Sequence, residues 1–463
     1  MQDLTEGSIP GHIARLAIPI AVGMVFQTLY YLVDLFFVAQ IGEAAVAGLT
    51  SAGNIQFLIM ALTQVLGVGT MALIAQASGR KDRDDANLIF NQSLAIGGVC
   101  AAITLAGGYG LTRFYMNALA ADGAVVEAGT TYLKWFLPGL ALQFALISMG
   151  SALRGTGVVK PTIIVQIFTV VLNAILAPFM IAGWVTGRPL GVMGAGLSST
   201  ISIAVAVVLM TVYFVRLERF VTFDTALLRP RLNAWKRILT VGLPPGGEFA
   251  LLFVYMAIIY WAIRGFGAEA QAGFGTGSRI MQAVFLPAMA VAFATAPVAG
   301  QNFGAGKFDR VRGTLRWAVI VGSAIMITLT LLCQIAPEIL VGGFTNDAGV
   351  IAIGGEFLRI ISWNFVATGL IFTFSGVFQA LGNTVPALLA GATRLTTFAI
   401  PAIWISRQPG FELRHLWILS VVTVALQAIV SWWLLQRELK KKLVDHARPG
   451  SADHLVAETE ASL

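Results

Sequence analysis

Two stretches of this chain decide its fold: IPIAVGMVFQTLYYLVDLFFVAQIGEAAVAGL at 18–49 and LPPGGEFALLFVYMAIIYWAIRGFGAEAQAGF at 243–274. Each opens at a proline and runs through a long apolar stretch to a Gly and an Ala-rich restart. A helix needs about 20 mostly apolar residues to cross a bilayer, and both stretches supply them. Laid over one another at a fixed offset, they pair Pro19 with Pro244, Tyr30 with Tyr255, Gly42 with Gly267, and EAAVAGL with AEAQAGF. The same offset then holds downstream. Thr70 pairs with Thr295, Gln76 with Gln301, Gly79 with Gly304, Asp84 with Asp309, Gly157 with Gly382, and Pro161 with Pro386. Chance matches in so apolar a composition are common, but they do not keep one register. The chain is an internal repeat.

The rest of the sequence reads the same way. Of 463 residues, 57% are hydrophobic and only 11% charged, where a soluble domain carries about a quarter charged residues. Apolar runs follow one another over 14–41, 46–76, 87–112, 126–150, 160–184, 189–215, 237–264, 270–299, 313–334, 350–380, 385–407 and 413–436. Backbone amides in lipid must be satisfied within their own segment, so these are helices. The short alternating segments of a membrane β-barrel are missing. The expected fold is an all-α integral membrane protein of about twelve transmembrane helices. They form two six-helix bundles related by a pseudo-two-fold axis along the membrane normal, because an even number of spans returns each repeat to its starting side.

Basic residues set the orientation. Arg80, Lys81 and Arg83, then Arg154 and Lys160, then the group from Arg216 to Arg237, then Lys307, Arg310 and Arg312, and last Arg437 to Lys442 all fall on one side. Both termini are therefore expected in the cytoplasm, with the protein in the cell inner (plasma) membrane. The net charge of +7 follows from these loops, and nucleic acid is not an expected partner. The expected organisation is an N-terminal lobe 1–215, a cytoplasmic linker 216–236, a C-terminal lobe 237–442 and a polar, disordered tail 443–463. The N-terminus shows no removable signal peptide. Cys100 and Cys333 lie in apolar runs and read as small buried hydrophobes.

At this point the first span resembles the opening of the multidrug and toxic compound extrusion (MATE) family, with its Pro, Gln, deeper Asp and following Gly. ALRGTGVVKPTI at 152–163, FQALGNTVPAL at 378–388 and TRLTTFAIPAIWI at 393–405 resemble that family's turns after the fourth and tenth spans and its eleventh span. The resemblance implies a two-bundle antiporter. Such a protein exports amphipathic, often cationic organic compounds in exchange for inward H+ or Na+. No other cofactor is expected, and the chain is expected to act as a monomer in the lipid bilayer.

Asp34 lies about 10 Å below the outer end of its span. A carboxylate at that depth is costly unless paired, hydrated or protonated. Such a group can hold a proton, Na+ or a cationic drug in turn, which is what exchange requires. The resemblance adds Tyr30, Asn173 and a hydroxyl at Ser199 or Thr200 as its companions, with Asp34 and Asn173 the possible Na+ ligands. Oxygen ligation of this kind suits a hard cation. Asn173 reads equally well as a helix-packing residue. Ala177 stands where the family often carries a second Asp, which favours H+ over Na+. Gln27, Asp34 and Tyr255 are expected to line the substrate cavity. Glu248 and Arg394 are expected to form an ion pair at mid-membrane in the C-terminal lobe. Trp135, Trp184, Trp235, Trp404 and Trp417 read mainly as interface anchors.

Two alternatives remain on the sequence. A lipid-linked oligosaccharide flippase of the same superfamily would want a more cationic cavity, to which Arg279, Arg359 and Arg394 could contribute. A membrane-embedded enzyme would need converging catalytic groups. The four histidines sit at ends or in tails, and no HExxH, GxSxG or Walker pattern occurs in a fitting context. The chain is expected not to be an enzyme.

Overall fold

The structure is a computed structural model. It describes residues 1–119, 122–184 and 187–445, without the side chains of Tyr30, Tyr31, Val33, Asp34 and Leu35 or of residues 443–445. The expected disordered tail 443–463 lies outside the described residues apart from the helical backbone at 443–445.

Among the described residues, twelve helical segments are long and apolar enough to span a membrane. The first six are α1 (Ile9–Ala39), α2 (Glu43–Arg80), α3 (Arg83–Leu119), α4 (Gly123–Gly155), α5 (Lys160–Ile181) and α6 (Val192–Arg216). Then come α7 (Leu232–Ile263), α8 (Ala268–Gly304), α9 (Phe308–Ile335), the short α10 (Pro337–Gly342), α11 (Ala348–Ile361), α12 (Phe365–Ala380), α13 (Val385–Ile405) and α14 (Leu413–Asp445). α11 and α12 form one span broken at Ser362–Asn364. Neighbouring groups meet the carbonyls at the break: Thr330 Oγ1 donates to Ser362 O, and Gln334 Nε2 donates to Arg359 O at 2.6 Å and to Ser362 Oγ at 2.8 Å. The adjoining helix thus supplies bonds that a broken spanning helix must find.

The internal repeat is visible in backbone detail. α2 ends with Lys81 in the left-handed region (φ 60), and α8 is followed by its counterpart Gly306 (φ 69). Asp82 N donates to Ala77 O in the first turn, and Lys307 N to Asn302 O in the second. The turns after α4 and α12 match too. Gly157 (φ 78) and Gly382 (φ 72) are both left-handed, and Val158 N→Leu153 O corresponds to Asn383 N→Phe378 O. Left-handed residues after helices cap the last carbonyls, a position that favours glycine.

The chain divides into two units, Met1–Asp3 with Ile18–Gly246, and Leu4–Ala17 with Gly247 onward. The division thus falls within α7 and not at the basic connection before it. α7 stays with the first unit through Gly246 because glycines let it press on α2. A side chain at Gly69 would strike the Ile238 backbone, and one at Gly242 the Val65 backbone. The basic connection is also held. Asn91 Nδ2 donates to Thr222 O, and Gln92 Nε2 to Leu227 O and Arg229 O. Arg237 makes a two-pronged pair with Asp85, which also meets Arg80. In the second unit, Leu4 is buried, its N–H donating to Gln301 Oε1 and its carbonyl accepting from Asn302 Nδ2.

Each unit has its own aromatic core. Phe90 stacks on Phe214 at 4.9 Å in the first. In the second, Phe274 stacks on Trp417 at 5.6 Å, and Phe357 meets Trp417 edge-on at 4.8 Å. Trp417 is 1% exposed, so it is a core residue and not the interface anchor expected of it. Trp135, Trp184 and Trp404 do face outward, and Trp235 is half-buried.

Candidate ion-coupling site

Asp34 and Tyr30 lie on α1, and their side chains fall outside those described. Their expected companions can be placed. α5 and α6 are antiparallel neighbours that close together at Gly194, where an added Cβ would meet Met180 O at 2.5 Å. Counting back from that contact puts Asn173 of α5 level with about residue 201 of α6. Asn173 and Ser199 are both fully buried, as are Ser198 and Ser202. Ser198 and Ser202 return their hydroxyls to their own helix, at Ala195 O (3.0 Å) and Ser198 O (2.8 Å). Thr200 Oγ1 instead donates to Trp135 O of α4 at 2.6 Å. Successive helix residues project about 100° apart, so Thr200 turns to α4. Both expected hydroxyls, Ser199 and Thr200, lie near the level of Asn173, and Thr200 is the one committed to α4. Ala177 is also fully buried.

Gln27, expected in the substrate cavity, accepts a 3.4 Å hydrogen bond from Gln166 of α5. Gln27 is exposed and Gln166 half-buried. Gly23, one turn earlier, lets α1 approach Ile163 and Gln166. A polar pair therefore joins α1 to α5 beside the deeper residues. Gln166 is an isolated polar residue in an apolar run, and that is its only signal in the sequence.

The second unit corrects two expectations. Tyr255 is 7% exposed and packed, not cavity-lining. Its hydroxyl meets Ser420 Oγ of α14 at 2.8 Å, and its ring lies 4.6 Å from that of Phe398. The guanidinium of Arg394 sits over the same ring, 4.4 Å from the centroid. Among the described residues no ion pair joins Arg394 to Glu248. The reason is register. α7 and α13 are the seventh and eleventh spans and run parallel. Gly247 faces Leu388, Leu251 faces Gly391 and Tyr255 faces Arg394. Glu248 lies two helical turns before Tyr255, about 10 Å along the helix from the level of Arg394. Its Oε1 is buried and accepts no hydrogen bond. A carboxylate oxygen in that state is costly, and structures keep such groups where a proton, ion or water can reach them.

Comparisons with known proteins bear on the family and the fold. The family model described as MatE matches residues 19–179 and 244–405, two matches whose starts, at Pro19 and Pro244, keep the offset of the internal repeat. "Probable multidrug resistance protein YpnP" of Bacillus subtilis (strain 168) is 24% identical over 421 residues, covering 90% of this chain and 91% of its own. "Probable multidrug resistance protein NorM" of Thermotoga maritima is 25% identical over 396 residues, 84% of each chain. Among solved structures, one described as "Crystal structure of MATE in the bent conformation" superposes with a TM-score of 0.90 at 23% identity, covering 96% of this chain and 98% of the other. Another, "Outward-facing conformation of a multidrug resistance MATE family transporter of the MOP superfamily", gives 0.87 at 23% identity over 95% and 98%.

Proposed function

Because the chain belongs to the MatE family, a family of membrane transporters, we propose that it exports amphipathic, often cationic organic compounds in exchange for inward protons. The names of the curated relatives support multidrug export. The observation that carries the exchange reading is Glu248, whose Oε1 is buried on a spanning helix without a partner. Together with Asp34 it gives the chain two carboxylates at membrane depth, one in each repeat. A group that binds either the incoming ion or the cargo makes each lower the other's affinity, and that coupling drives exchange.

Protons are preferred to Na+ because the position that would bring a second carboxylate to Asn173 is the buried Ala177. One negative charge fewer suits a proton better than a metal ion that seeks several oxygens. The protein works in the cell inner membrane with both termini cytoplasmic, as its basic loops predict.

The flippase reading is weaker. Of the three arginines that could have made a cationic cavity, Arg359 pairs with Glu338 at 2.9 Å and Arg394 lies on Tyr255. The test is accumulation of a fluorescent lipophilic cation inside everted vesicles, the direction of export, under either an acid-inside pH gradient or a Na+ gradient. Accumulation driven by the pH gradient alone supports the proposal; accumulation that needs Na+ overturns the choice of ion.

A further inference from the structure

A second polar residue in the second unit shares the condition of Glu248. Gln427 of α14 is 8% exposed, and its Oε1 is buried with no hydrogen-bond partner. The contact between Tyr255 and Ser420 shows how the two lie. α7 and α14 are the seventh and twelfth spans and run antiparallel. Glu248 stands two helical turns before Tyr255, and Gln427 two turns after Ser420. Whole turns return each residue to the face that makes the 2.8 Å Tyr255–Ser420 contact. In opposite directions, equal steps end opposite one another. Packed helix axes lie about 8–10 Å apart, a gap that two long side chains bridge directly or through one water.

Two acceptor oxygens facing across such a gap need a donor between them. The α14 hydroxyl one turn before Gln427, Thr423 Oγ1, is spent on its own helix at Leu419 O and Ser420 O. We propose that Glu248 and Gln427 form a proton-binding site inside the second unit. With the proton bound, the carboxyl O–H donates to Gln427 Oε1. With it gone, the Gln427 amide turns so that an N–H donates to the carboxylate. An amide carries both an acceptor and donors, so it serves both states, which an apolar neighbour cannot do. This rests on the transport reading but deepens it, naming the group that lets the α7 carboxylate load and unload a proton.

The charged and titratable surroundings are few. On α13 only Arg394 is ionisable, and it is held over Tyr255 two turns away. α12 carries no ionisable residue, and α14 none between His415 and Arg437. α2, which meets the first part of α7 at Val65, is ionisable only at its ends, Glu43 and Arg80. α11 brings Glu356 and Arg359 towards the Trp417 end of α14, where Phe357 packs on Trp417, and Arg359 is paired with Glu338. On α7 itself, Lys236 and Arg237 lie near its start, and Tyr255 and Tyr260 follow Glu248; α8, whose Phe274 meets Tyr260, carries Glu269 and Arg279.

Infrared titration of the purified full chain in nanodiscs tests this without requiring transport. Wild type should show a protonated-carboxyl C=O band that titrates and is missing in Glu248→Gln. Gln427→Leu removes the donor to the carboxylate. Because hydrogen bonds to charged groups are about twice as strong as neutral ones, the charged form loses more. The midpoint should rise by about one pH unit, a tenfold change in proton affinity. The exchanged double variant, Glu248→Gln with Gln427→Glu, should regain a titrating band. An unmoved midpoint in Gln427→Leu, or no band in the exchanged variant when it elutes as folded protein, overturns the proposal. If drug efflux fails while these bands behave as stated, the transport reading falls and the site stands.

Discussion

The guanidinium of Arg394 lies 4.4 Å from the centre of the Tyr255 ring and makes no ion pair among the described residues. A cation over a ring face is attracted by the ring's quadrupole, by about 2 kcal/mol or more when desolvated. The same tyrosine is fastened by its hydroxyl to Ser420, so one ring joins α7, α13 and α14. The positive charge of α13 is thus met by an aromatic face, and the carboxylate of α7 is left without it.

It follows that Glu248 and Arg394 act independently on stability. In a double-mutant cycle with Glu248→Gln and Arg394→Gln, thermal unfolding should give a coupling energy below about 0.5 kcal/mol, as for sites more than about 7–10 Å apart. A coupling of several kcal/mol would restore the ion pair.

For Tyr255, the hydroxyl and the ring make separable contributions. Tyr255→Phe removes one buried hydrogen bond and should cost about 1 kcal/mol. Tyr255→Ala also removes the surface under Arg394 and beside Phe398, and should cost about 3–5 kcal/mol. Thermal melts monitored by size-exclusion would show two similar values if the ring contacts did not matter.

Close helix approach at Gly69 predicts a sharp contrast with Gly98. Gly69→Ala drives a methyl into the Ile238 backbone, whereas Gly98→Ala meets nothing within 4 Å. The first should destabilise by about 1–3 kcal/mol, the penalty of overpacking. The second should be neutral or stabilising by up to about 1 kcal/mol, since alanine is the better helix former. Equal melting temperatures for the two variants would contradict the packing of α7 on α2.

Lys81 holds a left-handed backbone that its counterpart in the repeat, Gly306, holds without strain. Lys81→Gly should therefore stabilise the protein, and Gly306→Lys destabilise it, each by about 1 kcal/mol. Shifts of the same sign in the two variants would show that the turns are not equivalent.

Much of this was legible in the sequence for a physical reason. Spanning helices must be long and apolar, and a constant offset between matching residues exposed the repeat that the turns at Lys81 and Gly306 share. The α11–α12 break was not legible, because its carbonyls are satisfied by Gln334 and Thr330 from elsewhere in the chain. The sites were harder. Depth along a helix can be counted, but direction and register cannot, so Glu248 and Arg394 looked like partners when they lie two turns apart. Tyr255 matched Tyr30 in the repeat and was read as cavity-lining, yet a three-helix junction buries it. Gln427 carried a readable signal, a polar residue two turns after Ser420 on one face of an apolar helix, which gains meaning only beside α7.

The most direct test of the central claim, that carboxylates at membrane depth exchange protons for cargo, is proton release in liposomes. Purified protein is sealed in vesicles with a pH-sensitive dye inside, and a lipophilic cation is added outside. Substrate-dependent proton movement is expected in wild type and should fall at least tenfold in Asp34→Asn, with the folded protein still inserted. Unchanged proton movement in that variant, or substrate flux with no proton movement in wild type, would contradict the account.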